Sequence, residues 1–199
     1  MSSFFGHSLA AYALASATQD GRGPATRKFV WAGWLIVLAS APDIDYLIPA
    51  LNSRAHNGLR ITHSVAFSLA LPLCTVAALY LTGRCRPRLK TLSACAALAG
   101  LSHLVLDFLV GVTPLPLLWP FGGAAFTSPF GILPSAGGVR LSNYYFYRNL
   151  LIEMGVLAPT LYVARGVYCG AAGVRSRARV IVLLVIAGCF IAWSLSLSR

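Results

Sequence analysis

His103 and Asp107 stand four residues apart in the run Ser102-His103-Leu104-Val105-Leu106-Asp107, inside an otherwise uncharged apolar stretch that begins after Lys90 and reaches Phe130. A carboxylate within such a stretch costs several kcal/mol unless something compensates it. One helical turn places the imidazole and the carboxylate on the same face, where they can converge on one point. A ring nitrogen and an anionic oxygen at one point are the ligands of a divalent metal ion. The plainer readings are a protonated acid or an arginine pair, and the surrounding run supplies no arginine.

Other residues of the same chemical types recur along the chain. In Ala41-Pro42-Asp43-Ile44-Asp45 the proline disfavours helix at the residue before it, so a preceding helix should bend or stop there. Regular helix would set Asp43 and Asp45 about 200° apart, whereas an extended turn, which the proline favours, brings both to one side. Either acid is a candidate metal ligand or general base, against the alternative of a helix-capping turn. In Thr62-His63-Ser64 the threonine is the expected helix N-cap, with His63 in the first turn as a ligand or a capped, backbone-bonded side chain. His7 and Glu153 are isolated ligand candidates. Arg60 and Arg140 could hold an anion, and Trp119, in Leu118-Trp119-Pro120-Phe121, suits the membrane interface beside a bound lipid.

The composition says what must position these groups. Of 199 residues, 57% are hydrophobic and 11% charged, and mean hydropathy is +0.73. A soluble domain carries about 25% charged residues. The expected fold is therefore all-α, a polytopic membrane helical bundle with four to five spanning helices plus a short N-terminal helix. It forms one domain over residues 1–199. Apolar segments fall at 3–18, 29–40, 62–81, 91–112 and 149–168, and 180–197 reads as a C-terminal anchor helix. Residues 3–18 end in small-residue pairs resembling a signal-peptidase site, but no Lys or Arg precedes Arg22, so the segment is expected to stay in the mature protein. Five cysteines form no Cys-x-x-Cys pair and read as packing residues.

The net charge of +11 would suit nucleic acid if it formed a stripe on a soluble face. Instead Arg22, Arg27 and Lys28, then Arg84, Arg86, Arg88 and Lys90, then Arg165, Arg175, Arg177 and Arg179 cluster between apolar segments. These are topology signals, and no nucleic acid partner is expected. The positive-inside rule puts all three clusters on the cytoplasmic side and the 51–60 and 119–148 loops outside. Counting 1.5 Å per residue, Asp43, His103, Asp107 and Glu153 then lie roughly 18–25 Å above the cytoplasmic helix ends, with His63 slightly higher. His7 reaches the same level if its segment runs inward. A site facing outward follows.

With these residues in hand, the sequence resembles the YdjM-like family of bacterial inner-membrane proteins regarded as metal-dependent hydrolases. The resemblance rests on Gly6-His7, Ala41-Pro42-Asp43-Ile44-Asp45, Arg60-Ile61-Thr62-His63-Ser64, Ser102-His103 through Asp107, and Leu118-Trp119-Pro120-Phe121. It covers residues 6 to about 121; beyond them only Glu153 and the general hydropathy match. That family is similar in ligand pattern to the zinc-dependent phospholipase C and single-strand nuclease superfamily. The resemblance implies two or three divalent ions, zinc above all, held by His7, Asp43, Asp45, His63, His103, Asp107 and Glu153. It also implies hydrolysis of a phosphoester.

The leading expectation is a membrane-bound metal-dependent phosphoesterase acting on a phospholipid or lipid-linked phosphate at the outer face of the inner membrane, with no obligatory protein partner. Arg60, Arg140 and Trp119 would contact the substrate. Two rivals come from other classes. An ion or proton transporter needs polar residues on both sides of the midplane, whereas the inner half of each span is apolar. A non-catalytic membrane protein with a structural metal site would use the same ligand residues.

Overall fold

The computed structural model describes residues 3–18, 24–46, 48, 60–83, 86–135, 142–170 and 176–197. Its helices are α1 (Phe4–Thr18), α2 (Ala25–Ser40), α3 (Val65–Thr82), α4 (Leu89–Val110), α5 (Tyr144–Cys169) and α6 (Arg177–Ser196). Among the described residues there is no strand, only an isolated bridge between Leu115 and Phe126. Helices α3 to α6 are long and apolar enough to cross a membrane, so the architecture is the expected all-helical bundle with a short N-terminal helix, with four of the four to five expected spans among the described residues. Large apolar side chains such as Phe29, Leu73, Leu81, Ile181 and Val185 are more than half exposed. Water would penalise that surface; lipid does not.

Local chemistry sets the helix ends. Helix α5 starts five residues before the expected position because Asn143 caps it, accepting a hydrogen bond from the Tyr145 amide at 3.0 Å. Helix α4 ends at Gly111, whose φ of +67° is open to glycine at no steric cost. The stretch Ala41–Tyr46 is a 3-10 helix and not the expected extended turn. Ala41 keeps helical angles (φ −58°, ψ −37°) in spite of Pro42, and the fixed φ of proline is itself compatible with a helix start. At 3.0 residues per turn, Asp43 and Asp45 point to different sides.

The short helix α1 lies in the middle, packed on α2, α4 and α5, while α4 also packs on α2 and α3, and α6 lies along α5. Helix α1 can be central because its buried positions are small: Gly6, Ala10, Ala11 and Ala15 accompany His7. One apolar cluster joins Ala11 and Ala15 to Leu35, Leu38, Ala96 and Ala99; another joins Ala10 to Leu106, Val110, Val156 and Leu157. Two glycines mark close approaches between spans. A Cβ on Gly100 would overlap the Ser68 carbonyl oxygen, and one on Gly155 would overlap the Phe190 ring. Gly100 sits one turn before His103, so the α3–α4 contact fixes the height of that histidine.

Candidate metal centre

Each side chain at the centre is placed by a local device. Ser3 starts α1 with its hydroxyl accepting from the Gly6 amide at 3.1 Å, and the Ser3 amide donates to both oxygens of Glu153 at 2.9 and 3.2 Å. A carboxylate at a helix N-terminus also complements the helix dipole. His7 follows one turn later, fully buried. His63 comes from the 3-10 turn Ile61–His63. The cap of α3 is Ser64, which accepts from the Phe67 amide at 3.2 Å, and not Thr62 as expected. The tight turn moves the helix start two residues on and frees the Thr62 hydroxyl, which is hydrogen-bonded to His63 Nδ1 at 3.0 Å.

His103 is oriented by the proline turn. In a 3-10 register the Ala39 carbonyl would pair with the amide of residue 42, and Pro42 has none. That carbonyl accepts a hydrogen bond from His103 Nδ1 at 2.8 Å. A carbonyl cannot donate, so Nδ1 carries the proton and neutral His103 presents its lone pair at Nε2. Such a second bond, holding the ring and fixing the tautomer, is the usual support of a metal-binding imidazole.

The inward-facing atoms then converge. His103 Nε2 lies 3.2 Å from His63 Nε2. Asp107 Oδ2 lies 3.4 Å from His63 Nε2 and 3.6 Å from His103 Nε2, and Asp43 Oδ1 lies 3.6 and 3.7 Å from the same two nitrogens. Two triangles thus share the His63–His103 edge. One proton on His63 Nε2 cannot serve a facing lone pair and two carboxylates together. A cation can. Bonds of about 2.0–2.1 Å in a tetrahedral site give ligand–ligand edges of about 3.3 Å, and the edges of each triangle lie within a few tenths of an ångström of that.

His7 extends the cluster on the other side of Asp107. Its Nε2 is 3.8 Å from Asp107 Oδ1, and its ring stacks on His103 with centroids 4.0 Å apart and planes 12° off parallel. Neither His7 nitrogen makes a hydrogen bond among the described residues, which is costly for a fully buried imidazole and fits a ring that ligates a metal. Two residue groups could therefore each hold a metal ion: Asp43, His63 and His103, and His7, His103 and Asp107. His103 has only Nε2 to offer and can serve one ion at a time, whereas the two Asp107 oxygens face different histidines.

Charge balances within the centre. Burial pushes the Asp43 carboxyl up, but the His63 ring and the His103 and His7 imidazoles outweigh it and leave it below the ordinary carboxylate value. Burial pulls the His63 imidazole down, but the Asp107 and Asp43 carboxylates outweigh it and leave it above the usual value. Asp43 is the open side, its side chain 24% exposed against 0% for His63 and 2% for Asp107.

Across its full length, residues 1–199, the sequence matches the YdjM inner membrane protein family. The chain belongs to that family. No curated protein and no solved structure matches it.

Other residues singled out in this YdjM-family chain fall around the centre. Asp45 is gripped by Arg60, whose Nε and Nη2 donate to its two oxygens at 2.7 and 2.8 Å. The Arg60 guanidinium also lies 4.9 Å from the Tyr46 ring centroid and 3.7 Å from Asp43 Oδ1. Asp45 Oδ2 is 4.0 Å from His63 Nδ1, so Asp43 and Asp45 flank the His63 ring from its two nitrogens. Glu153 reaches Ser3 and stands outside both metal-sized groups. Trp119 is part-buried in the turn at 117–121 and also stands outside them. Arg140 lies outside the described residues. The Ala39 carbonyl and Ser3 join the centre from outside the expected set, and for Ala39 the signal is the proline three residues on.

Proposed function

We propose that this YdjM-family protein is a metal-dependent hydrolase embedded in the membrane, a phosphoesterase whose substrate is a phospholipid or lipid-linked phosphate. Two groups that share His103, namely Asp43, His63 and His103 on one side and His7, His103 and Asp107 on the other, each within metal-ligand reach, are the observation that carries the reading. Asp43, His63 and His103 would hold the first ion, with zinc favoured by imidazole and carboxylate donors at these spacings. His7 and Asp107 Oδ1 would contribute to a second. When bound, such ions supply Lewis acidity toward a phosphoryl oxygen and toward water.

The chain's own groups complete the reading. Of the two catalytic candidates, Asp43 at the open side is the better placed to take a proton from water in place of ligating, since Asp45 is engaged by Arg60. The Arg60–Asp45 pair holds the turn carrying Asp43 and keeps a cation next to the mouth, where a phosphate would enter. The positive-inside rule turns that mouth outward.

The test is metal content and lipid-phosphate hydrolysis on the same purified preparation, before and after chelation and zinc return. Stoichiometric metal with chelator-sensitive release of a phosphate or phosphorylated headgroup supports the proposal. The full burial of three histidines favours a second reading, a structural metal site; tightly held metal without hydrolysis of any lipid phosphate would select it.

A further inference from the structure

At the other end of the bundle a groove of about 510 Å³ runs between α1, α4 and α5. Its walls are apolar and mostly small, with Ala13, Ala94, Leu98 and Leu161 among them, and its end carries Lys90 and Arg165. The volume is that of a ligand cleft. From Ala10 to Thr18 it follows α1 for about 12 Å, close to half the hydrocarbon thickness of about 30 Å. The basic end is about 20 Å along α4 from His103, so this is not part of the centre above.

The charges at that end are unbalanced. No acid lines the groove among the described residues, and Arg165 Nε is buried without a hydrogen-bond partner among them. In sequence the run 83–106 holds Arg84, Arg86, Arg88 and Lys90 and no acid. A desolvated guanidinium nitrogen at the end of an apolar channel calls for an anion attached to an apolar chain. Basic pockets between spans recognise anionic lipid headgroups for this reason.

We propose that this groove is a binding site for an anionic phospholipid of the leaflet on the basic-loop side, with one acyl chain between α1, α4 and α5 and the phosphate against Lys90 and Arg165. The alanines leave the room for the chain. The two cations set the preference over zwitterionic lipid, at roughly 5-fold each and about 25-fold together at low salt.

The experiment is native mass spectrometry of the purified full chain in dodecyl maltoside, titrated separately with phosphatidylglycerol and phosphatidylcholine. The parent should retain phosphatidylglycerol about 25-fold better. Lys90→Gln with Arg165→Gln should bring the two lipids to near equality, Lys90→Arg with Arg165→Lys should keep the preference, and Ala94→Phe should lower retention of both. Equal retention by the parent overturns the proposal, as does a preference that survives in the double glutamine variant. Should a variant lose its helical circular dichroism, salt decides on the parent: raising it to about 0.5 M should erase most of the preference, and an unchanged preference overturns the proposal. Inorganic phosphate as competitor separates sources, since displacement at equal concentration would mean a free-anion site instead of a lipid site.

Discussion

Changing Asp107 to Asn should lower the metal affinity of the centre by about two to three orders of magnitude. The substitution keeps the shape and removes the charge. Oδ2 supplies the 3.4 and 3.6 Å edges to His63 and His103, and Oδ1 is the oxygen facing His7, so whichever way the amide turns, one of these positions becomes a nitrogen that cannot ligate. A four-ligand zinc site is worth about 10–16 kcal/mol, hence about 2.5–4 kcal/mol per ligand. At 1.4 kcal/mol per decade, losing one ligand is a factor of about 10²–10³. The assay is equilibrium dialysis of metal-loaded protein against graded chelator buffers, with metal counted per chain. His103→Ala should shift the midpoint similarly, and the double variant should be little worse than either single one, because all three break one coordination sphere. A shift under about threefold for Asp107→Asn, or full additivity in the double variant, would refute the convergence argument.

Acidification should release the metal, since a proton on His63 Nε2 competes with it. The His63 pKa is raised, so the competing form is populated from a higher pH than for a free imidazole, and occupancy is lost as pH falls through that value; retention unchanged from about pH 8 to about pH 5 would contradict this. Gly100→Ala pushes a methyl into the Ser68 carbonyl and within 2.8 Å of Pro72 Cγ, and should cost about 1–3 kcal/mol, read as a lower thermal midpoint together with weaker metal retention. Glu153→Ala removes the acceptor of the Ser3 amide and should lower stability by about 1–3 kcal/mol with metal count per chain unchanged. Loss of a whole ion would make Glu153 a ligand. Single cysteines placed by Arg86→Cys and Phe130→Cys in a cysteine-free chain test the outward-facing mouth: an impermeant reagent should reach position 130 alone, and reaction at 86 from outside would reverse the orientation.

What was legible in the sequence follows from the range of the interactions involved. His103 and Asp107 could be paired because an i,i+4 spacing is local. His7, Asp43 and His63 could be grouped with them because membrane depth is counted along each helix, and the structure does bring these five side chains together. Depth carries no azimuth, however. Asp45 and Glu153 lie at the same level but face Arg60 and Ser3, contacts that join residues far apart in the chain. The 41–46 turn departs from the extended geometry because proline breaks a helix at its interior, whereas at a helix start its fixed φ lets the chain continue in a tighter coil. The displaced cap at Ser64 has the same origin, since a three-residue 3-10 turn leaves no periodic trace.

The hold that Glu153 keeps on Ser3 sets an order of events during synthesis. Asp43, His63, His103 and Asp107 have all been made once residue 107 is added, but the carboxylate that anchors the start of α1 is 150 residues downstream of the serine it grips. At about 5–20 residues per second, roughly 8–30 s separate the two. For the last 46 residues of that interval, from 107 to 153 and about 2–9 s, the donors from 43 to 107 have been made while the start of α1 still lacks its anchor. His7 is thus made first and the start of its helix pinned last, and addition of α5 is the step that supplies that pin.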